Sequence, residues 1–99
     1  MKSVLVLGAG RSSSALIDYL ISNAVKQEWH IVVGDLEWAT AQERIAGSSA
    51  ATAIQFNIEE PQALEIIRQA DVVVSMLPAH FHVKVARMCL QLNLSLIHI

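Results

Sequence analysis

Val4-Leu5-Val6-Leu7-Gly8-Ala9-Gly10-Arg11-Ser12-Ser13-Ser14 passes from four apolar residues through two glycines into small polar residues. An apolar run that ends on glycine and restarts with helical periodicity marks a strand-to-helix turn. Gly8 permits a tight turn, and Gly10, without a Cβ, lets backbone N–H groups approach an anion at the positive end of the following helix. The G-x-G-x-x-G/A pattern holds a dinucleotide pyrophosphate in this way, and Ser13 fills its third position as a small residue that is not glycine. A glycine pair alone is a weak sign, so its surroundings decide.

Residues 2–7 read as a strand whose apolar run is unbroken from Val4 to Leu7, as burial on both faces requires. Residues 11–27 follow with Ile17, Leu20, Ile21 and Ala24 at helical spacing, giving one face to pack on a sheet. His30-Ile31-Val32-Val33-Gly34-Asp35 is a second strand ending in an acid, and residues 37–46 form a helix that Gly47 can terminate. A third strand at 51–56 rests mainly on Ile54 and Phe56. Pro61 then sits in the first turn of a helix whose buried face is Ala63, Ile66, Ile67 and Ala70. Residues 72–77 make a fourth strand stopped by Pro78, and Val85, Met88, Cys89 and Leu92 form the stripe of the next helix. Residues 94–99 read either as the start of a fifth strand or as a tail foreign to the domain.

Four strand–helix alternations with short connections predict an α/β fold. It is a Rossmann-like doubly wound parallel sheet of about four to five strands with helices on both faces. With 99 residues and the pattern still running at the end, the expectation is a partial, truncated domain over residues 1–99 with its substrate domain absent.

Hydrophobic residues make up 54% of the chain and charged ones 16%, which suits a doubly covered sheet and excludes disorder. A net charge of -2 gives no basic footprint for nucleic acid. The short apolar run after Lys2 is neither a signal peptide nor a membrane span. A single cysteine, Cys89, excludes an internal disulfide and reads as a small buried hydrophobe, consistent with a reducing, cytoplasmic setting.

Asp35 stands about 20 residues past the glycine turn, at the end of the second strand, where a dinucleotide fold places the acid that accepts the adenosine ribose hydroxyls. Its charge opposes a 2′-phosphate, so the cofactor is NAD or NADP with NAD favoured. Arg11, Ser12 and Ser13 are candidate phosphate partners beside Gly8 and Gly10, although helix capping alone accounts for serines there. Leu77 and Pro78, at the exit of the fourth strand, are expected to line the cofactor groove. His80 and His82 diverge on a helix start without a third ligand, so no metal site is assigned. Trp29 and Trp38 read as packing residues. No G-K-[ST], G-x-S-x-G or C-x-x-C is present, which excludes a P-loop, a hydrolase elbow and a thiol redox pair. A methyltransferase commonly wants a third glycine where Ser12 stands.

Residues 4–14, the Val33-Gly34-Asp35-Leu36 strand end and Asp71-Val72-Val73-Val74-Ser75-Met76-Leu77-Pro78 with the following His80 resemble the amino-terminal part of saccharopine dehydrogenases. The resemblance spans about residues 2–93. It implies a cytoplasmic oxidoreductase of lysine metabolism, acting on the CH–NH bond of saccharopine in the glutamate-forming direction. By position, Gly8, Gly10, Arg11 and Ser12 would hold the pyrophosphate, Asp35 the ribose, and Leu77 and Pro78 the nicotinamide side. Many relatives use NADP and lack an acid at Asp35. The substrate region of the family lies downstream, so no catalytic residue is expected within this chain and the fragment alone is expected to be inactive. The partners implied are a dinucleotide and an amino-acid substrate, with no nucleic acid or membrane, and a homo-oligomer is compatible with the full-length protein. Two rival readings share the fold: a non-catalytic dinucleotide-sensing module, and a carboxynorspermidine synthase-like reductase with similar imine chemistry.

Overall fold

A computed structural model describes residues 1–10 and 13–98. Its central strand, β1 (Lys2–Leu7), is buried from Val4 onward. Val4 and Val6 point into one apolar layer and Leu5 and Leu7 into the other, the two-residue period of a pleated strand. This double burial is why the sequence shows an unbroken apolar run there.

The chain continues through α1 (Ser14–Gln27), β2 (Trp29–Asp35), α2 (Trp38–Ile45), β3 (Ala51–Gln55), α3 (Ala63–Arg68), β4 (Val72–Ser75), α4 (Ala79–Leu92) and β5 (Ser95–His98). The strands form one parallel sheet in the order β3-β2-β1-β4-β5. Ile17, Leu20 and Ala24 of α1 and Ala41 and Ile45 of α2 pack with Val4, Val6, Ile31 and Val33 on one face. Ala63 and Ile67 of α3 and Val85 and Cys89 of α4 pack with Leu5, Leu7 and Val73 on the other. The expected Rossmann-like arrangement, helices on both faces of a parallel sheet, is therefore observed with five strands. Burial pushes the Cys89 thiol pKa up, as its place in the second layer requires.

Several boundaries differ from the sequence expectation. α2 ends at Ile45, two residues before Gly47, because Ala46 (φ 49°) is already left-handed and Gly47 (φ 74°) continues the reversal until the Ser48 N–H reaches Ile45 O at 2.9 Å. Pro61 lies in a turn ahead of α3 rather than within its first turn. The Ala63 N–H donates to Glu60 O at 3.1 Å across that turn, and proline, which has no N–H, fits inside it. β4 stops at Ser75, so Met76 and Leu77 leave the sheet earlier than expected. Trp29 packs against the first layer, but Trp38 is 52% exposed, and its indole N–H donates to Ala53 O at 3.2 Å, so it is not a core residue.

Candidate functional site

The strand order places β1 between β2 and β4, and the helices that follow β1 and β4 pack on opposite faces. Such a reversal opens a crevice at the carboxyl edge of the sheet, where open α/β sheets bind ligands. A cleft of about 520 Å³ lies there. Gly8, Gly10 and Gly34 line it beside Asp35 and Leu36, with Phe56, Asn57, Ile58 and Glu59 from the segment after β3. Met76, Leu77, Pro78 and Phe81 complete the lining from the exit of β4 and the start of α4.

The turn after β1 is anchored on both sides. The Gly8 N–H donates to Gly34 O at 2.8 Å, and Leu7 O accepts the Met76 N–H at 2.9 Å. Gly8 has φ +100°, and a Cβ there would lie 3.3 Å from Met76 O, so both backbone shape and space demand glycine. Gly10 differs. Its φ lies outside the left-handed region, and among the described residues beyond its chain neighbours a Cβ would meet nothing within 4 Å, so they impose no need for glycine there. What its bare Cα provides is open space on the cleft wall, as close approach of a pyrophosphate requires.

Asp35 is half-buried at the end of β2 with both carboxylate oxygens directed by backbone. Oδ2 accepts the Ala9 N–H at 2.8 Å and Oδ1 the Glu37 N–H at 2.9 Å. The acid expected to meet a ribose thus also braces the glycine turn, a role its spacing did not reveal. Each carboxylate oxygen retains a lone pair, so acceptance of two ribose hydroxyls stays open. Among the described residues that line the cleft, the charged side chains are Asp35 and Glu59, both acids. Lys84 of α4 pairs with Glu59 across the rim, and the Glu59 N–H donates to Asn57 Oδ1 at 2.9 Å, which fixes the turn that carries it.

Ser13 is buried and does not cap α1. Its hydroxyl and its N–H both reach Gly10 O, at 2.7 and 3.0 Å, so it closes the turn from inside. Arg11 and Ser12 lie outside the described residues. Leu77 and Pro78 lie on the wall of this cleft. The ring of His80 meets that of Phe81 at a centroid distance of 4.1 Å. Among the described residues no three His, Cys, Asp or Glu side chains gather as a metal requires.

One contact had no sequence signal: Arg44, on α2, donates from Nε to Ala9 O at 2.9 Å. It depends on how α2 stacks beside α1, which periodicity does not report.

A family model described as the saccharopine dehydrogenase NADP-binding domain matches residues 4–98. An alpha-aminoadipic semialdehyde synthase of Arabidopsis thaliana is 31% identical over 112 residues, covering 95% of this chain and 10% of that protein. Among solved structures, the saccharopine dehydrogenase (L-Glu forming) of Saccharomyces cerevisiae matches with a TM-score of 0.86 at 27% identity, over 99% of this chain and 21% of the yeast chain. A short-chain dehydrogenase/reductase of Veillonella parvula, solved with NADP, shares the fold at a TM-score of 0.68 and 20% identity, over 98% of this chain and 46% of its own. The chain therefore spans a small part of the length of its relatives.

Proposed function

The chain belongs to the family of saccharopine dehydrogenase NADP-binding domains, and from that premise we propose that it is the dinucleotide-binding part of an oxidoreductase acting on the CH–NH bond of saccharopine. The glutamate-forming reaction of lysine metabolism, in the cytoplasm, is the assignment. The likeness to the yeast enzyme supports the reaction, and a lone buried thiol is compatible with the compartment. Among the described residues no helix is long and apolar enough to cross a membrane.

In this reading Gly8 and Gly10 receive the pyrophosphate, with Arg11, Ser12 and Ser13 as the neighbouring turn residues, and Asp35 accepts the adenosine ribose. Leu77 and Pro78 form the wall on the nicotinamide side. A bound nicotinamide dinucleotide supplies a hydride acceptor or donor. The chain's own work is to hold and orient it, and substrate binding and proton transfer are assigned to regions of the family's longer enzymes that these 99 residues do not cover.

The observation that carries the proposal is the occurrence of Asp35 and Gly10 on one cleft: a carboxylate oriented by two backbone N–H groups, and a glycine that the described residues around it do not require. The same carboxylate favours NAD, since a 2′-phosphate there would meet Asp35 with no basic side chain among the described lining residues. Calorimetric titration with NADH and with NADPH tests this. NADH is expected to bind tighter, and in Asp35→Ala its affinity should fall roughly ten- to a hundred-fold while the preference over NADPH collapses. Equal affinities for the two cofactors in the unmodified chain would remove the NAD assignment, and no binding by a folded chain would remove the site.

A further inference from the structure

We infer that Arg44 is a positioning residue that aims the Gly10 N–H at the pyrophosphate, an inference that rests on the dinucleotide site proposed above. The Ala9 carbonyl and the Gly10 N–H belong to one planar trans peptide, so they point in opposite directions. Arg44 Nε holds the carbonyl toward α2 at 2.9 Å, and the N–H of the same peptide is thereby turned away from α2, toward the cleft that Gly10 lines.

Packing restrains this peptide from one side only. Ala9 is buried in the core, but among the described residues beyond its chain neighbours Gly10 has open space where a Cβ would stand, and glycine accepts most backbone angles, so on the Gly10 side the orientation is set by hydrogen bonding. The preceding peptide is already pinned by its N–H, which donates to Asp35 Oδ2. Gly10 O on the following one is pinned by Ser13. Arg44 supplies the remaining restraint, so the two successive peptides entering Gly10 are held by side chains of opposite charge from β2 and α2.

The guanidinium is suited to the task. It is half-buried, always charged, and a charged donor to a carbonyl is stronger than a neutral one. It also leaves positive charge behind the turn, where an anion would bind. Lysine would keep the charge, but its terminal ammonium cannot donate from the position of Nε, so the two contributions are separable.

The test compares unmodified chain, Arg44→Met and Arg44→Lys by calorimetry with NADH and with adenosine, and follows the Gly10 amide by ¹⁵N NMR. Methionine retains the apolar stem and removes the donor. NADH affinity is expected to fall roughly tenfold in Arg44→Met, with adenosine binding unchanged and the NADH-induced shift of the Gly10 amide reduced. Arg44→Lys is expected to recover part of the affinity without recovering the amide shift. If Arg44→Met, folded by its thermal melt, binds NADH as the unmodified chain does and shifts Gly10 equally, the positioning role is wrong while the site stands. Equal loss of adenosine and NADH binding overturns it too, since that marks general damage. An unmodified chain that binds no NADH overturns both readings.

Discussion

The two glycines of the turn look alike in sequence and differ in physics. Gly8 is held at φ +100° against Met76 O, so Gly8→Ala is expected to lower stability by about 1 to 3 kcal/mol in a denaturant melt. Gly10→Ala should leave stability within about 0.5 kcal/mol, because a methyl there meets none of the described residues beyond its chain neighbours within 4 Å. Its effect should fall on NADH affinity, lowered by roughly tenfold or more as the methyl occupies the ligand's approach. A Gly10→Ala chain that binds NADH normally would show the open space to be ordinary surface. The spacing of Gly8, Gly10 and Asp35 made these residues legible before any coordinates, because a turn and an acid at fixed separation are local facts. The bracing of Ala9 by Asp35 and the reach of Arg44 were not legible, because both depend on side chains meeting backbone from another element.

Among the elements, type and order followed from periodicity, and ends did not. α2 shows why. A glycine near the end of a helical pattern marks its stop, yet the chain reverses at Ala46, and alanine in the left-handed region carries a cost of about 1 kcal/mol. Ala46 is exposed, so Ala46→Gly is expected to raise stability by about 0.5 to 1 kcal/mol, read as a higher melting temperature without change in NADH binding. In α3 the Arg68 guanidinium holds the Glu65 carboxyl below the usual carboxylate range, assisted by Gln69. A carboxyl lowered on folding contributes stability above its ordinary pKa and loses it as pH falls through the folded value. The pair is exposed, so that contribution is small. Arg68→Ala should return the Glu65 titration, followed by carboxyl NMR, to the ordinary range while leaving the neutral-pH melt nearly unchanged. β3 was legible only through Ile54 and Phe56, since at the edge it needs few strong strand formers; its pairing with β2 from Ile31↔Ala51 to Asp35↔Gln55 holds it in place.

At the scale of the molecule, the sheet has two unlike edges. β3 carries the exposed polar residues Thr52 and Gln55, whereas β5 carries Ile97, 49% exposed, beside backbone that among the described residues pairs with β4 alone. An apolar, unpaired edge is a template for another strand. Sedimentation velocity on the 99-residue chain is expected to show concentration-dependent association that Ile97→Lys reduces; a monomer at all concentrations would count against an exposed β5 edge.

The central place of β1 has a consequence for how the chain comes to be folded. Its first partner, β2, follows after a single helix, but its second, β4, pairs through contacts such as Ser3 with Asp71, 68 positions along the chain. Local pairings form quickly and distant ones slowly, because a long loop must close first. During synthesis, β1, α1, β2 and α2 can assemble while the other flank of β1 waits for β4 to emerge. Until then β1 lacks its β4 partner along Val4–Leu7, and Leu5 and Leu7 lack the cover that α3 and α4 give them, while Val4 and Val6 are already covered by α1 and α2. The nascent polypeptide is therefore expected to be most open to mispairing in the interval between the emergence of β2 and that of β4.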